Sequence, residues 1–128
     1  MDGFSDKMSN RFMVFVVNIM KLEKQLCATH SGRHVYIQLF RAGTSSGANY
    51  EEAKAGESRA DFIHKMQIVL KEMRESKFWI KLIIESTLVN SNDEVVTFLF
   101  NESAELANIT AKSVITAGSK SQKSRPPA

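Results

Sequence analysis

The sequence has little of what marks secreted or membrane proteins. Its one cysteine, Cys27, cannot form a disulfide within the chain, which is typical of proteins from a reducing compartment. No apolar run is long enough to span a bilayer, and the first ten residues are acidic and polar where a signal peptide is basic and then apolar. We therefore expect a cytoplasmic protein without a membrane partner, with Cys27 as an inert core residue.

The chain also lacks an excess of charge outside its C-terminal end. The net charge is +3, and Lys120, Lys123 and Arg125 supply all of it, because residues 1–119 hold 17 − 3 = 14 basic side chains against 14 acidic ones. Its 128 residues, 43% of them hydrophobic, are typical of one globular domain. A neutral body attracts no nucleic acid at long range, so any such binding must come from a local patch or from the tail.

Apolar residues recur at steps of three and four, and this spacing predicts four amphipathic helices. Their expected ranges are about 9–28, 33–55, 59–87 and 93–117. Ser9 or Asn10 is expected to cap the first helix, Ser58 the third, and Ser91 or Asn92 the fourth. Gly32 is placed in the loop that ends the first helix. The second helix begins with β-branched and aromatic residues that alone resemble a strand, but its helical spacing continues and no partner strand exists.

These helices, joined by short loops, predict an all-α domain of residues 1–118 folded as an antiparallel up-down-up-down four-helix bundle. Residues 119–128 have no apolar anchor, so a disordered basic tail is expected there. Two helices carry more apolar surface than one core requires, which favours an oligomer. On the first helix the extra residues are Met13, Val14, Val17 and Met20. On the third helix the predicted oligomer face consists of Ile68, Trp79, Leu82 and Ile83.

The segment Gly43 to Gly47 matches G-x-S-x-G, which in α/β-hydrolases holds a nucleophilic serine on a strand-to-helix turn. This chain offers no sheet for such a turn, so Ser45 is not expected to be catalytic. Small side chains here instead favour the close approach of another helix. Polar side chains near the same face are expected to form a buried network that fixes helix register. The predicted packing and network residues are Ala42, Gly43, Ser46, Gly47, Asn49, Glu52 and Arg59.

Histidines occur in two incomplete metal-binding patterns. His30 and His34 are four residues apart, like zinc ligands on one helical turn, but a glycine lies between them. His64 follows Asp61 by three residues, whereas di-iron bundles need two such motifs and two further carboxylates. We therefore expect no metal, no cofactor and no catalytic residue.

A basic stripe runs along the third predicted helix and is the candidate contact for nucleic acid. By the rotation of about 100° per residue, its members fall within about a third of the helical wheel. Acidic residues lie nearby at Glu72, Glu75 and Glu85, so a solvated surface without function is the competing interpretation. The stripe consists of Lys71, Arg74, Lys77 and Lys81.

A more specific signal lies between Gln38 and Phe62. It comprises QLFRA (38–42), TSSGAN (44–49), YEEA (50–53) and SRADF (58–62), and it continues more loosely through MQIVLKE (66–72) and Glu75. Together these segments resemble the bacterial four-helix-bundle proteins first noticed as reading frames in intervening sequences of 23S ribosomal RNA genes. The resemblance extends in pattern to about Ala117. Gly47 stands where many relatives carry proline, so a kink there is not implied.

The resemblance implies an antiparallel four-helix bundle that forms a ring-like homopentamer without known enzyme activity. A related branch, the accessory proteins of diversity-generating retroelements, looks like a basic pentameric barrel that binds nucleic acid and a reverse transcriptase. The neutral body of this chain departs from that branch. Two functions stay open: a non-enzymatic homo-oligomeric scaffold that associates with RNA or DNA, and a structural or protein-interaction module without nucleic-acid binding.

Overall fold

The computed structural model describes residues 3–123, with side chains as far as Ser119. These residues form helices and no strand, which confirms the all-α class and the helical interpretation of the segment after Arg33. No helix in this part of the chain is both long and apolar enough to cross a bilayer. The five helices are α1 (Gly3–Met20), α2 (Glu23–Leu26), α3 (His30–Lys54), α4 (Arg59–Glu85) and α5 (Glu94–Lys123).

The first predicted helix differs most from the structure. It begins at Gly3 rather than near Ser9, and it is interrupted after Met20, before the short helix α2. The extra turns at its start are held against the end of α3, where the Nζ atom of Lys54 lies 2.7 Å from the hydroxyl of Ser9 and 3.6 Å from the carboxylate of Asp6. Tertiary contacts therefore extend the helix past its predicted caps.

The start of α3 also differs from the prediction. Gly32 does not end a helix in a loop; it is buried in the first turn of α3. Thr29 is the N-cap, and its hydroxyl accepts a hydrogen bond of 3.0 Å from the amide of Gly32. Ser58 caps α4 as predicted, whereas Asp93, rather than Ser91 or Asn92, caps α5.

The last helix is longer than its sequence suggested. It continues to Lys123, beyond the predicted end at residue 117. The added residues contain one glycine and no proline, so backbone hydrogen bonding propagates through them. Residues 119–123 of the predicted disordered tail are therefore helical, and residues 124–128 lie outside the described part of the chain.

Contacts between α3 and α4 join the end of each helix to the start of the other. Near the α3–α4 turn, Lys65 lies 3.5 Å from Glu52, while the ring of Trp79 near the end of α4 packs on His34 near the start of α3. Helix α1 is likewise tied by its first turns to the end of α3. These contacts are compatible with the predicted antiparallel arrangement.

The core lies between the four long helices and includes side chains from each of them. Its fully buried large side chains include Phe15, Ile19, Leu39, Met73, Ile80, Leu99 and Leu106. Buried hydroxyls donate to carbonyls of their own helices, as Ser46 does to Gly43 at 2.8 Å and Thr110 to Leu106 at 2.7 Å. No side-chain nitrogen or oxygen atom buried in the described residues is left without a partner.

Candidate functional site

The predicted basic stripe lies on the outer surface of α4. All four side chains, Lys71, Arg74, Lys77 and Lys81, are exposed. Three of them, Lys71, Arg74 and Lys81, follow one another at steps of three and seven residues, which places them along one side of the helix. Among the described residues, none of the four has a carboxylate within 4 Å.

Two of the acidic residues that could neutralise this stripe are engaged elsewhere. Glu72 is buried and accepts a hydrogen bond of 3.1 Å from Arg41 of α3. Glu75 is paired with the same guanidinium and accepts a bond of 3.1 Å from the indole N–H of Trp79. Burial opposes ionisation of Glu75, but the hydrogen bonds from Trp79 and Arg41, together with the positive charges of Arg41 and Lys71, outweigh it and lower the pKa of that carboxyl. Only Glu85 remains exposed near the end of the stripe.

An aromatic side chain that sequence reasoning missed lies within the basic stripe. Phe78 is four residues after Arg74 and three before Lys81, and it is 59% exposed. Its ring meets that of Trp79 edge to face, with centroids 5.0 Å apart. The sequence could have revealed Phe78, because it is separated from the cations by the same steps of three and four residues.

The predicted polar network on α3 does not form. Asn49 donates to the carbonyl of Ser45 in its own helix at 2.9 Å, and Glu52 is exposed beside Lys65. Arg59 is exposed and lines an open groove of about 730 Å³ at the end of the molecule where α3 meets α4. A side chain on a helix can bond to the backbone carbonyl four residues earlier, so the Asn49 amide nitrogen needs no partner across the interface.

Networks between helices form at two other arginines. Besides Arg41, Arg11 of α1 reaches α5, where its Nε and Nη2 atoms donate to Glu102 at 3.0 and 2.6 Å, and Nη2 lies 3.0 Å from Glu105. These hydrogen bonds outweigh burial and raise the pKa of Arg11. The sequence held a signal: each arginine is the only charged residue in a long helical stretch, residues 8–20 and 34–50.

The small residues of α3 do allow close helix packing. Ala42, Gly43 and Ser46 are buried, and a Cβ atom on Gly43 would lie 2.6 Å from Cδ1 of Ile19 in α1. Gly47 is less tightly enclosed, with Cβ of Phe12 at 3.6 Å from the equivalent position. The hydroxyl of Ser45 lies 3.3 Å from Asn49 within the helix, not on a turn.

The predicted oligomer face is wrong in part. Ile83 is fully buried in the core, because its position follows Ile80 by one three-residue step. Ile68 and Trp79 are half-buried, and only Leu82 is exposed. Apolar side chains that are more exposed than Leu82 lie elsewhere, on α1 at Met13, Val17 and Met20 and on α3 at Ile37. Cys27 is partly buried against the core.

The histidines do not form a metal site in the described residues. No group of three or more histidine, cysteine, aspartate or glutamate side chains lies close enough there to hold a metal ion. His34 instead packs edge to face on Trp79, with ring centroids 5.9 Å apart.

Comparisons with known proteins identify the family. The family model described as 23S rRNA-intervening sequence protein matches residues 6–112. The chain belongs to this family. A protein from Bacteroides thetaiotaomicron with a solved crystal structure, described as a protein of unknown function from the S23 ribosomal protein family, is 33% identical to this chain. Its TM-score is 0.75, and the match covers 84% of this chain and 97% of that one. No functionally curated protein matches.

Proposed function

We propose that this member of the 23S rRNA-intervening sequence family is a non-enzymatic scaffold that assembles with copies of itself and associates with RNA. Each copy would be an up-down-up-down four-helix bundle, and the family resemblance favours five copies in a ring. The observation that carries the proposal is the second apolar face of α1.

Helix α1 is apolar on two opposite sides. Phe12, Phe15 and Ile19 face the core, while Met13 and Met20 are 64% and 51% exposed on the outside. A helix that is hydrophobic all round is normally buried on all sides, and contiguous exposed apolar side chains mark interaction sites. The outer face of α1 therefore fits a contact with another protein surface.

A second apolar patch offers a complementary surface for that contact. Ile37 and Leu82 are exposed beside a groove of about 520 Å³ between the start of α3 and the end of α4. Two different patches on one chain suit a head-to-tail contact, which closes into a ring when the rotation allows it. The neutral body of the chain does not oppose such self-association by charge repulsion.

The exposed cations of α4 support the RNA association. Glu72 and Glu75 face Arg41, so the positive charge of the stripe is less compensated than its sequence neighbours suggest. Phosphate contacts need only such a local patch.

Light scattering on a sizing column tests the assembly. We expect about five times 14.4 kDa for the native chain. Met13→Glu with Val17→Glu should give a monomer, because two carboxylates would have to be buried in the contact. The matched control is Ile115→Glu on α5, where the side chain is 71% exposed outside this face. A monomeric native chain would contradict the proposal.

The exposed apolar patches also favour a protein-interaction module without nucleic-acid binding. The two functions differ in one measurement, binding of labelled RNA and DNA over a range of salt concentrations. Phosphate contacts weaken as salt rises, so salt-dependent binding supports the RNA-associated scaffold. An intact oligomer that binds neither polymer at low salt would select the interaction module.

A further inference from the structure

The outer surface of α4 combines exposed cations, which have no carboxylate within 4 Å in the described part of the chain, with an exposed aromatic ring, and this combination fits one kind of nucleic acid. We propose that this surface binds a single strand, with an unpaired base stacked on Phe78 and the neighbouring phosphates held by Lys71, Arg74, Lys77 and Lys81. The inference rests on the proposed association with RNA and names the form of the nucleic acid and the residue that recognises it.

The first step is the position of the ring. Lys71, Arg74, Phe78 and Lys81 follow steps of three and four residues, so Phe78 lies in line with the cations and not beside them. Both Arg74 and Lys81 are about one helical turn from it, and all four of these side chains are exposed. A ligand that contacts the cations therefore also passes over the ring.

The second step is the chemistry of the ring. A large apolar side chain exposed at 59% gains little from its own chain, and among the described residues its one ring contact is the edge-to-face contact with Trp79. Single-stranded nucleic acids present the flat face of each base, and stacking of a base on an aromatic side chain is the usual way in which such strands are held beside a basic surface. In a duplex the base faces are covered, so Phe78 has nothing to stack on.

The third step is scale. Ten residues separate Lys71 from Lys81, which is about 15 Å along a helix that rises about 1.5 Å per residue. At about 3.4 Å per nucleotide of a stacked strand, this distance matches about four nucleotides. Four cations and one ring are a consistent contact set for a strand of that length.

The test measures binding of the native oligomer to four labelled probes: single-stranded oligoadenosine, oligodeoxyadenosine, an RNA duplex, and an abasic strand with the same number of phosphates. The variants are Phe78→Leu, which keeps an apolar side chain without a ring, and Phe78→Tyr, which keeps the ring. Ile115→Ala is the matched control for an exposed apolar residue on another helix.

We expect Phe78→Leu to weaken binding of both base-bearing single strands about tenfold or more, whereas Phe78→Tyr and Ile115→Ala leave it within about twofold. The abasic strand and the duplex should bind Phe78→Leu and the native chain equally. The salt dependence should be unchanged by Phe78→Leu, because no phosphate contact is lost. Replacing the four cations by alanine should instead reduce the slope of log binding constant against log salt concentration by about 0.7 per lost phosphate contact.

The matched control for charge replaces Lys7, Lys21, Lys24 and Lys112, which are exposed on other helices or turns, by alanine. Both sets change the net charge from +3 to 3 − 4 = −1. Loss of binding only with the α4 set locates the phosphate contacts on the stripe, and equal loss with both sets overturns that assignment.

Three results would overturn the role of Phe78. The first is binding of single strands that Phe78→Leu does not change, and the second is an equal loss for the abasic strand. The third is a smaller oligomer for Phe78→Leu by light scattering, which would place the ring in a subunit contact. In these cases the proposed association with RNA still stands, whereas a native chain that binds no probe at low salt refutes both proposals.

Discussion

Gly32 of α3 lies directly against the backbone of the preceding turn, where a Cβ atom would overlap the carbonyl oxygen of Leu26. Its backbone is an ordinary helix, so the glycine is required by the close approach and not by a left-handed conformation. The contact fixes how α2 turns into α3, and that turn positions the start of α3 beside Trp79.

We expect Gly32→Ala to destabilise the protein by at least about 2 kcal/mol, because the obstructing atoms belong to the backbone and cannot rotate away. Gly47→Ala is the matched control in the same helix, with only Phe12 at van der Waals distance. It should stabilise the protein by about 0.5–1 kcal/mol through helix propensity. Urea unfolding at equal protein concentration measures both changes. Equal effects would refute the steric account.

Gly43 should behave differently, because the atom in its way is the end of a side chain. Gly43→Ala alone is expected to change the free energy of unfolding by less than about 1 kcal/mol, since the helix gain offsets the displacement of Ile19. In the background of Ile19→Val, which removes the Cδ1 atom, the same substitution should stabilise by about 1 kcal/mol. A double-mutant cycle in which the two effects simply add would contradict the proposed contact.

Glu75 predicts a dependence of stability on pH. Its pKa is lowered in the folded state, so the unfolded chain binds more protons between the folded and unfolded pKa values, and stability rises with pH through that window. The contribution is complete above the ordinary glutamate pKa of 4.5 and is lost as pH falls through the lowered value. Glu75→Gln should therefore destabilise the protein at neutral pH.

The difference between Glu75→Gln and the native chain should shrink as the pH falls below 4.5, as measured by urea unfolding from neutral to acidic pH. Glu85→Gln is the matched control, an exposed glutamate on the same helix, and should stay within about 0.5 kcal/mol of the native chain. A constant difference for Glu75→Gln at all pH values would refute the linkage.

The helical fold was readable from the sequence because apolar spacing is a local property that each helix carries by itself. The first and last residues of the helices were predicted less well. Helix α1 starts early because Lys54 and Tyr50, far along the chain, contact its first turns. Such tertiary contacts override caps that the local sequence favours.

The sequence predicted only part of the candidate site, for a related reason. The cations of α4 were found because exposure and spacing follow from helix geometry alone. The orientation of the Glu72 and Glu75 side chains was not predicted, because it depends on their pairing with Arg41 from another helix. Ile83 was wrongly placed on the oligomer face for the same reason. A helical wheel gives the angular position of a residue but does not show whether a neighbouring helix packs against it.

The pairing of Arg11 with Glu102 provides a last prediction on how the bundle is held together. Arg11→Met should destabilise the protein by about 1–3 kcal/mol, because Glu102, only 12% exposed, loses both hydrogen bonds from the guanidinium and keeps a poorly hydrated charge. Adding Glu102→Met should recover part of that loss, since two apolar side chains can pack where the ion pair stood. Arg59→Met, which changes an exposed arginine of α4, should stay within about 0.5 kcal/mol of the native chain. If the double variant is as destabilised as the sum of Arg11→Met and Glu102→Met measured separately, the ion pair does not couple α1 to α5.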